Sequence, residues 1–484
     1  MNIAAAITIN YSIIFYTSCQ EKGEFNVNSK NNKMEFLGNA PIPKALMAMG
    51  IPTMLGMMVN AIYNLVDAYF VGGLGTSQMG AISVVYPLGQ VVVGLGLLFG
   101  NGAASYLSRL LGNGDKEKAD KVASTALYSS ITVGAIMIIF SVIFLQPILK
   151  LLGATDSIMP YAITYASIYI VSCIFNVFNV TMNNIVTSEG AAKTTMLALM
   201  AGAILNIGLD PVFIYVLDMG VAGAAIATAI SQIVSTLVYL TFVLRKKSVY
   251  NFKIKNCTFT KEIMSEIFKI GIPTLVFQIL TSLSISLVNT QARPYGDSVI
   301  AGMGAVTRVV SMGSLMVFGF IKGFQPIAGY SYGAKKFDRL HEAIKTSIIW
   351  STVFCVIYGL VLTVFSKGII SQFTKGDLEM IRVGTQSLRI NGISFILFGF
   401  YTVYSSLFLA LGKGLAGFIL GACRQGICFV PVILILPMFW GINGILYVQP
   451  IADVLSAIIT IFMALHLHQE LDVTKQKFLS EKAG

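Results

Sequence analysis

Twelve runs of about 20 mostly apolar residues divide this chain, beginning near positions 44, 81, 123, 160, 194, 221, 264, 299, 345, 386, 415 and 443. A run of that length crosses the hydrocarbon of a bilayer as one α-helix, and inside lipid a helix satisfies its own backbone. With 484 residues, 55% of them hydrophobic and 11% charged, and a mean hydropathy of +0.77, the chain carries more apolar surface than one soluble core can hide. The reading is an all-α polytopic membrane protein with twelve transmembrane helices, multi-pass in the cell membrane.

Internal repetition narrows the architecture further. At a constant offset of 221, Gly50 matches Gly271, Pro52 matches Pro273, Gly102 matches Gly323, Gly112 matches Gly333, Gly220 matches Gly441 and Gly223 matches Gly444. Six spans per copy, an even number, give the second copy the orientation of the first. The halves are therefore expected as two six-helix bundles related by a pseudo-two-fold axis along the membrane normal. Residues 44–244 form the N-lobe (spans 1–6), 245–263 a cytoplasmic linker and hinge strap, 264–468 the C-lobe (spans 7–12), and 469–484 a cytoplasmic tail. Residues 1–43 fit neither a signal peptide nor a span, and read as an extension that is disordered or lies upstream of a true start at Met34. Between spans two and three SRLLGNGDKEKADK, and between spans eight and nine its copy YSYGAKKFDRLHEAIK, each read as a glycine turn followed by a short charged helix.

The net charge of +11 is explained by topology. With both termini cytoplasmic, 23 Lys and Arg fall on inner loops and five on outer ones, the asymmetry of the positive-inside rule. No nucleic-acid partner is implied. The six cysteines are scattered and suggest no disulfide framework, and His466 and His468 alone are too few ligands for a metal site. GGLGTSQMG lacks the Lys-Ser/Thr ending of a phosphate loop, so ATP is not expected to drive the protein directly. No converging His and acid motifs mark an enzyme, no cofactor is implied, and a monomer is expected.

Three acids sit well inside spans, Asp67, Asp210 and Asp453. An ionisable group in hydrocarbon costs about 2.5–3.5 kcal/mol on insertion scales and usually marks an ion or substrate path. Asp210 lies four residues after Asn206, which puts amide and carboxylate on one helix face, and Pro211 follows. With a hydroxyl such as Thr228 from span six, these groups offer oxygens for Na⁺, or an apolar pocket for a carboxyl that exchanges a proton. Span four adds Asn179 and Asn183 at the same i, i+4 spacing, with Asn176 a turn earlier. In the second half Asp453 is accompanied by Arg308 and Arg424, and a structural ion pair is the expected arrangement.

On NLVDAYFVGGLG, LSRLLGNGD and its copy, the Asn206-x-x-x-Asp210-Pro211 motif and CRQG around Arg424, within twelve spans in two repeats, the chain from Met34 to Leu467 resembles the multidrug and toxic compound extrusion (MATE) family. Its likeness is to the bacterial MepA-type and DinF-type branch. The resemblance implies a cation-coupled (Na⁺ or H⁺) antiporter that exports amphipathic, often cationic compounds or drugs by rocking between inward-open and outward-open states. It also implies an N-lobe cation site of Asp67, Asn206, Asp210, Thr228 and Asn183, with Na⁺ held at the first four. Some branches carry a glutamate in span seven and an aspartate in span ten. Here the first place is Thr281, with Gln278 nearby, and NGISFILFGF has no acid, which concentrates coupling in the N-lobe. Asn179, Gln278 and Thr281 are the candidates for the substrate cavity. The alternative is a flippase for a lipid-linked precursor, which favours a basic, lipid-accessible cavity.

Overall fold

A computed structural model describes residues 30–374 and 377–483, and every regular element among them is helical. In chain order these are α1 (Lys30–Asn39), α2 (Ile42–Gly72), α3 (Thr76–Asn113), α4 (Lys116–Ile143), α5 (Leu145–Leu151), α6 (Met159–Ser188), α7 (Ala192–Pro211) and α8 (Gly220–Leu244). The second half supplies α9 (Lys261–Ala292), α10 (Asp297–Gly333), α11 (Phe337–Val364), α12 (Ser366–Ser371), α13 (Leu378–Ser394), α14 (Phe398–Ala410), α15 (Gly414–Ala422) and α16 (Phe429–Ala483). Eleven stretches among the described residues are long and apolar enough to cross a membrane. The last, Gly414–Glu481, holds two crossings, because Gly441 takes φ 55° and ψ −133° inside it. Its repeat mate Gly220 has φ 52° at the bend between α7 and α8. Both backbones lie where a side chain is strained, so glycine recurs at this corner of each half.

The two halves meet as the repeat requires. α2 packs on α10 and α3 on α9, an exchange of partners expected from a pseudo-two-fold axis. At this seam the repeated glycines bring backbone against backbone. A methyl on Gly323 would lie 2.4 Å from Gly50 N, on Gly271 2.0 Å from Leu98 O, on Gly102 2.3 Å from Ile267 O, and on Gly333 2.1 Å from Arg109 O. Small residues permit this approach between helices where no hydrophobic drive separates lipid from protein.

The closed part of the seam lies toward the face that carries Lys116, Lys118, the linker and Lys336, here the basic face. Toward the opposite face the helices present accessible side chains, including Asn64, Tyr86 (59% exposed), Arg308 and Met312 (38%). Gly304 has nothing within 4 Å of where its side chain would be. The conformer is thus a cleft, shut at the basic face and open at the other.

Three sequence boundaries shift. The described part of the span expected to be an extension, residues 30–43, belongs to the fold: Lys33 of α1 is buried, 3.3 Å from the Glu189 carboxylate and donating to Lys247 O at 2.7 Å. At the other end of α1, Arg339 donates to Leu37 O and Ala40 O, and Lys336 to Gly38 O. α1 therefore bridges both halves, because its carbonyls and its ammonium find opposite charges that sequence spacing does not display. Residues 1–29 lie outside the described residues. The linker is no free strap either, since Ser124, Thr125 and Tyr128 of α4 donate to Asn251 O, Thr258 O and Phe252 O. The charged segments after the turns at Gly114 and Gly333 are not separate helices. Asp115 caps Lys118 N at 3.1 Å, and α4 then runs unbroken into the membrane, as α11 does, because nothing interrupts the hydrogen-bond ladder.

Candidate functional site

The centre of the first half is set by register between helices. α2 and α7 run parallel, and a methyl on Gly56 would lie 2.9 Å from Leu199 of α7. About three turns further along each helix stand Asp67 and Asp210, so the same face and level that join Gly56 to Leu199 join the two acids. Their carboxyl groups lie close together, and the hydroxyls of Tyr63 and Tyr165 lie within their field. Asn206 donates from Nδ2 to Asp210 Oδ1 at 3.3 Å. Pro211, lacking an N–H, ends α7 and the chain loosens into a wider π turn at Val212–Val216.

Neighbouring helices bring further oxygens to this level. α8 runs antiparallel to α7, with Ser235 donating to Ala198 O and the Gly202 position against Ser231, which sets Thr228 level with Asn206. On α6, whose Asn179 bonds Gln232 of α8, the register carries Asn176 to within about a turn of Thr228. Asp67 Oδ1, Asn176 Oδ1, Asn206 Oδ1 and Asp210 Oδ2 are all buried without a hydrogen-bond partner among the described residues. No Lys or Arg there pairs with either acid. Two buried carboxylates without a counter-charge are costly, and a bound cation or a proton removes that cost. The four orphaned oxygens, all hard donors, fit a small cation such as Na⁺.

A polar stripe leads from the cleft to this site. Asn60, Asn64 and Asp67 stand at i, i+4 and i+7 on α2, with Asn64 Nδ2 donating to Asn60 O at 2.8 Å. Asn64 is exposed, Asp67 only partly so. The spacing was present in the sequence as three polar residues on one face of an apolar span. Tyr63 and Tyr165 carry no comparable pattern, whereas Asn176 heads the polar face of α6 that Asn179 and Asn183 continue.

Other expected site residues stand apart. Asn183 is about 8 Å from the basic-face end of α6, whereas Asp210 is about 27 Å along α7 from that face. Asn183 instead receives a hydrogen bond from Lys322 of α10 across the seam and donates to Tyr239 OH at 3.1 Å. Asn179 is saturated within its own half, donating to Gln232 and accepting from Thr236 at 2.9 Å. Gln278 does cross the seam, donating to Gln90 Oε1 at 2.6 Å, while Thr281 returns its hydroxyl to Phe277 O of its own helix.

The second half places its acid differently. Asp453 is 1% exposed and accepts from Arg424 Nε at 2.8 Å, Gln449 Nε2 at 2.9 Å and Ser394 Oγ at 2.9 Å. The Arg424 guanidinium also lies 4.7 Å from the Phe398 ring. Arg308 is not part of this cluster, contrary to the sequence expectation. It is exposed and makes no ion pair among the described residues. The face of α10 on which it falls is turned away from the second half's interior.

Comparison with known proteins agrees with the two-half fold. The MatE family profile matches residues 52–212 and 273–435, two copies that begin at Pro52 and Pro273. Multidrug export protein MepA of Staphylococcus aureus is 30% identical over 451 residues, 93% of this chain and 99% of that protein. The protein of the same name from Staphylococcus saprophyticus is 30% identical over 453 residues. Among solved structures, a MATE protein in complex with MaL6 superposes with a TM-score of 0.87 at 26% identity, covering 91% of this chain and 99% of that one. An outward-facing multidrug resistance MATE family transporter gives 0.86 at 26% identity, covering 91% and 98%. With its two six-span halves, its repeat offset and these matches taken together, the chain belongs to the MatE family and is a polytopic membrane transporter, not an enzyme.

Proposed function

We propose that this protein is a cation-coupled antiporter, driven by Na⁺ or H⁺, that exports amphipathic and mostly cationic compounds by alternating access. The observation that carries the reading is the pair of buried, uncompensated carboxylates at Asp67 and Asp210, joined to the open cleft by Asn60 and Asn64. With the basic face toward the cytoplasm, the cleft opens outward, and a cation arriving from outside reaches Asp67 along the asparagine stripe. Asp67, Asn206, Asp210 and Thr228, with Asn176 in addition, would hold it, and the cation supplies the charge that these oxygens lack. Neutralising the pair removes the repulsion between α2 and α7, lets these helices repack, and changes the cleft wall that holds drug. Asp453 has no such freedom, because Arg424 already compensates it. One charge moving down 100 mV supplies about 2.3 kcal/mol, enough for roughly a fifty-fold gradient of an uncharged compound. Both halves of the cleft come from one chain, so a monomer suffices.

The flippase alternative draws support from Arg308, an exposed cation on the cleft side of α10. It gives the uncompensated acids no role, and the antiport reading is preferred for that reason. Efflux of a cationic dye from membrane vesicles with imposed Na⁺ or pH gradients tests the choice. Wild type is expected to respond to one gradient, and Asp67→Asn and Asp210→Asn to lose the response. Normal pumping by both variants would refute the site, and wild-type indifference to both gradients would shift the reading to the flippase.

A further inference from the structure

Arg308 is the charged group that the antiport mechanism leaves unused. Its helix, α10, has two distinct faces. One packs into the second half: a methyl on Gly302 would meet Met380 O at 3.3 Å, one on Gly313 the Tyr358 ring at 2.3 Å, and Tyr358 OH donates to Val309 O. The other meets the first half: a methyl on Gly319 would lie 2.5 Å from Met54 Cα of α2, and Lys322 donates to Asn183 of α6. At about 100° per residue, Gly304, Leu315, Gly319 and Lys322 fall within roughly 40° of Arg308, while Gly302 and Gly313 are roughly 120–140° away. Arg308 therefore projects toward the first half. It does so above the closed seam, where Gly304 faces open space and Met312 is exposed.

Among the described residues no acid is paired with it. The antiparallel contacts Gly323 to Gly50 and Gly319 to Met54, continued along both helices, bring Arg308 level with the turn of α2 that carries Asn64, itself turned roughly 80° from the Met54 face. Asp67 is turned roughly 140° from the Met54 face of α2, toward α7. Closing the cleft along this register brings neither carboxylate of the Asp67–Asp210 pair to Arg308. An arginine near the middle of a span is expensive unless something compensates it, and a planar guanidinium matches a carboxylate with two parallel hydrogen bonds. We propose that Arg308 is a specificity-determining residue that binds a carboxylate of the transported compound, so that zwitterionic amphiphiles are favoured over their esters. The inference rests on the export reading of the cleft.

A pair of fluorescent probes tests it: a rhodamine with a free carboxylate and the same rhodamine as its methyl ester. Binding of each to the purified full-length protein in detergent is followed by fluorescence anisotropy, with no ion gradient applied. Wild type is expected to bind the acid more tightly than the ester. Arg308→Gln is expected to weaken the acid about tenfold, the order of one charge-assisted hydrogen bond, and to leave the ester within about twofold. Arg308→Lys, a point charge without the fork, is expected to fall between. Equal weakening of acid and ester in Arg308→Gln, unchanged acid binding, or no discrimination by wild type would each overturn the proposal. A melting measurement on each variant identifies loss of fold. Since binding is read without a gradient, discrimination that persists while neither Na⁺ nor pH moves dye in vesicles would sink the antiport reading and leave the role of Arg308 standing.

Discussion

The two halves share a backbone and divide the chemistry. Each holds intramembrane acid, on α2 and α7 in the first half and on α16 in the second. In the second half Asp453 is met by Arg424, Gln449 and Ser394, so its charge is fixed and the cluster is complete without any ligand. In the first half Asp67 and Asp210 lie together, with only the Asn206 amide donating to Asp210, and buried oxygens on four side chains have no partner among the described residues. The difference teaches that a buried acid becomes a coupling group when the fold withholds its counter-charge. Burial alone does not do it, for Asp453 and Asp210 are equally buried.

The comparison breaks most sharply at the acids. Asp210→Asn and Asp67→Asn are expected to reduce gradient-driven dye efflux to background while leaving the melting temperature unchanged or higher, since each relieves the repulsion of a like-charge pair. Arg424→Leu in the other half is expected to do the reverse to stability. It leaves Asp453 buried and unpaired, at a cost of about 3–5 kcal/mol, and thermal melting in detergent should show it. If Arg424→Leu melts as wild type does, the second half's cluster is not the closed structural unit described above.

Smaller effects sharpen the contrast. Gly323→Ala places a methyl 2.4 Å from Gly50 N, so the seam must part at the basic face. A cost of about 1–3 kcal/mol is expected. It should appear as increased labelling, from the basic face, of a cysteine introduced at the seam. Smallest of all, Thr228→Val is expected to raise the ion concentration for half-maximal transport a few-fold, the order of one hydrogen bond or ligand contact. Asn183→Ala should leave that concentration unchanged. A shift in the Asn183 variant equal to that in Thr228→Val would restore Asn183 to the ion site.

Sequence and structure agree where a residue type is forced by the backbone. Gly50, Gly102, Gly271, Gly323 and Gly333 stand out in the repeat because a side chain at any of them would collide with the facing helix, so their spacing records the seam directly. Gly220 and Gly441 record a corner in the same way. What spacing along one helix cannot record is the register between two. Asn179 and Asn183 share a face of α6, yet one serves the contact with α8 and the other the seam with α10. Arg308 and Arg424 both read as cations beside Asp453, and only the faces of their helices separate them. Asn60 and Asn64 were legible as a stripe ending at Asp67, but a stripe acquires meaning only when the cleft it opens to is known.

The central claim is that ions bind in the first half alone. Thermal melting of the purified protein across a series of Na⁺ concentrations and pH values tests it most directly, since a ligand that binds the folded state raises its stability by mass action. Wild type and Asp453→Asn are expected to show stabilisation by Na⁺ or by protons, and the double variant Asp67→Asn/Asp210→Asn to show neither. A double variant that responds as wild type does, or an Asp453→Asn protein that has lost the response, would contradict it.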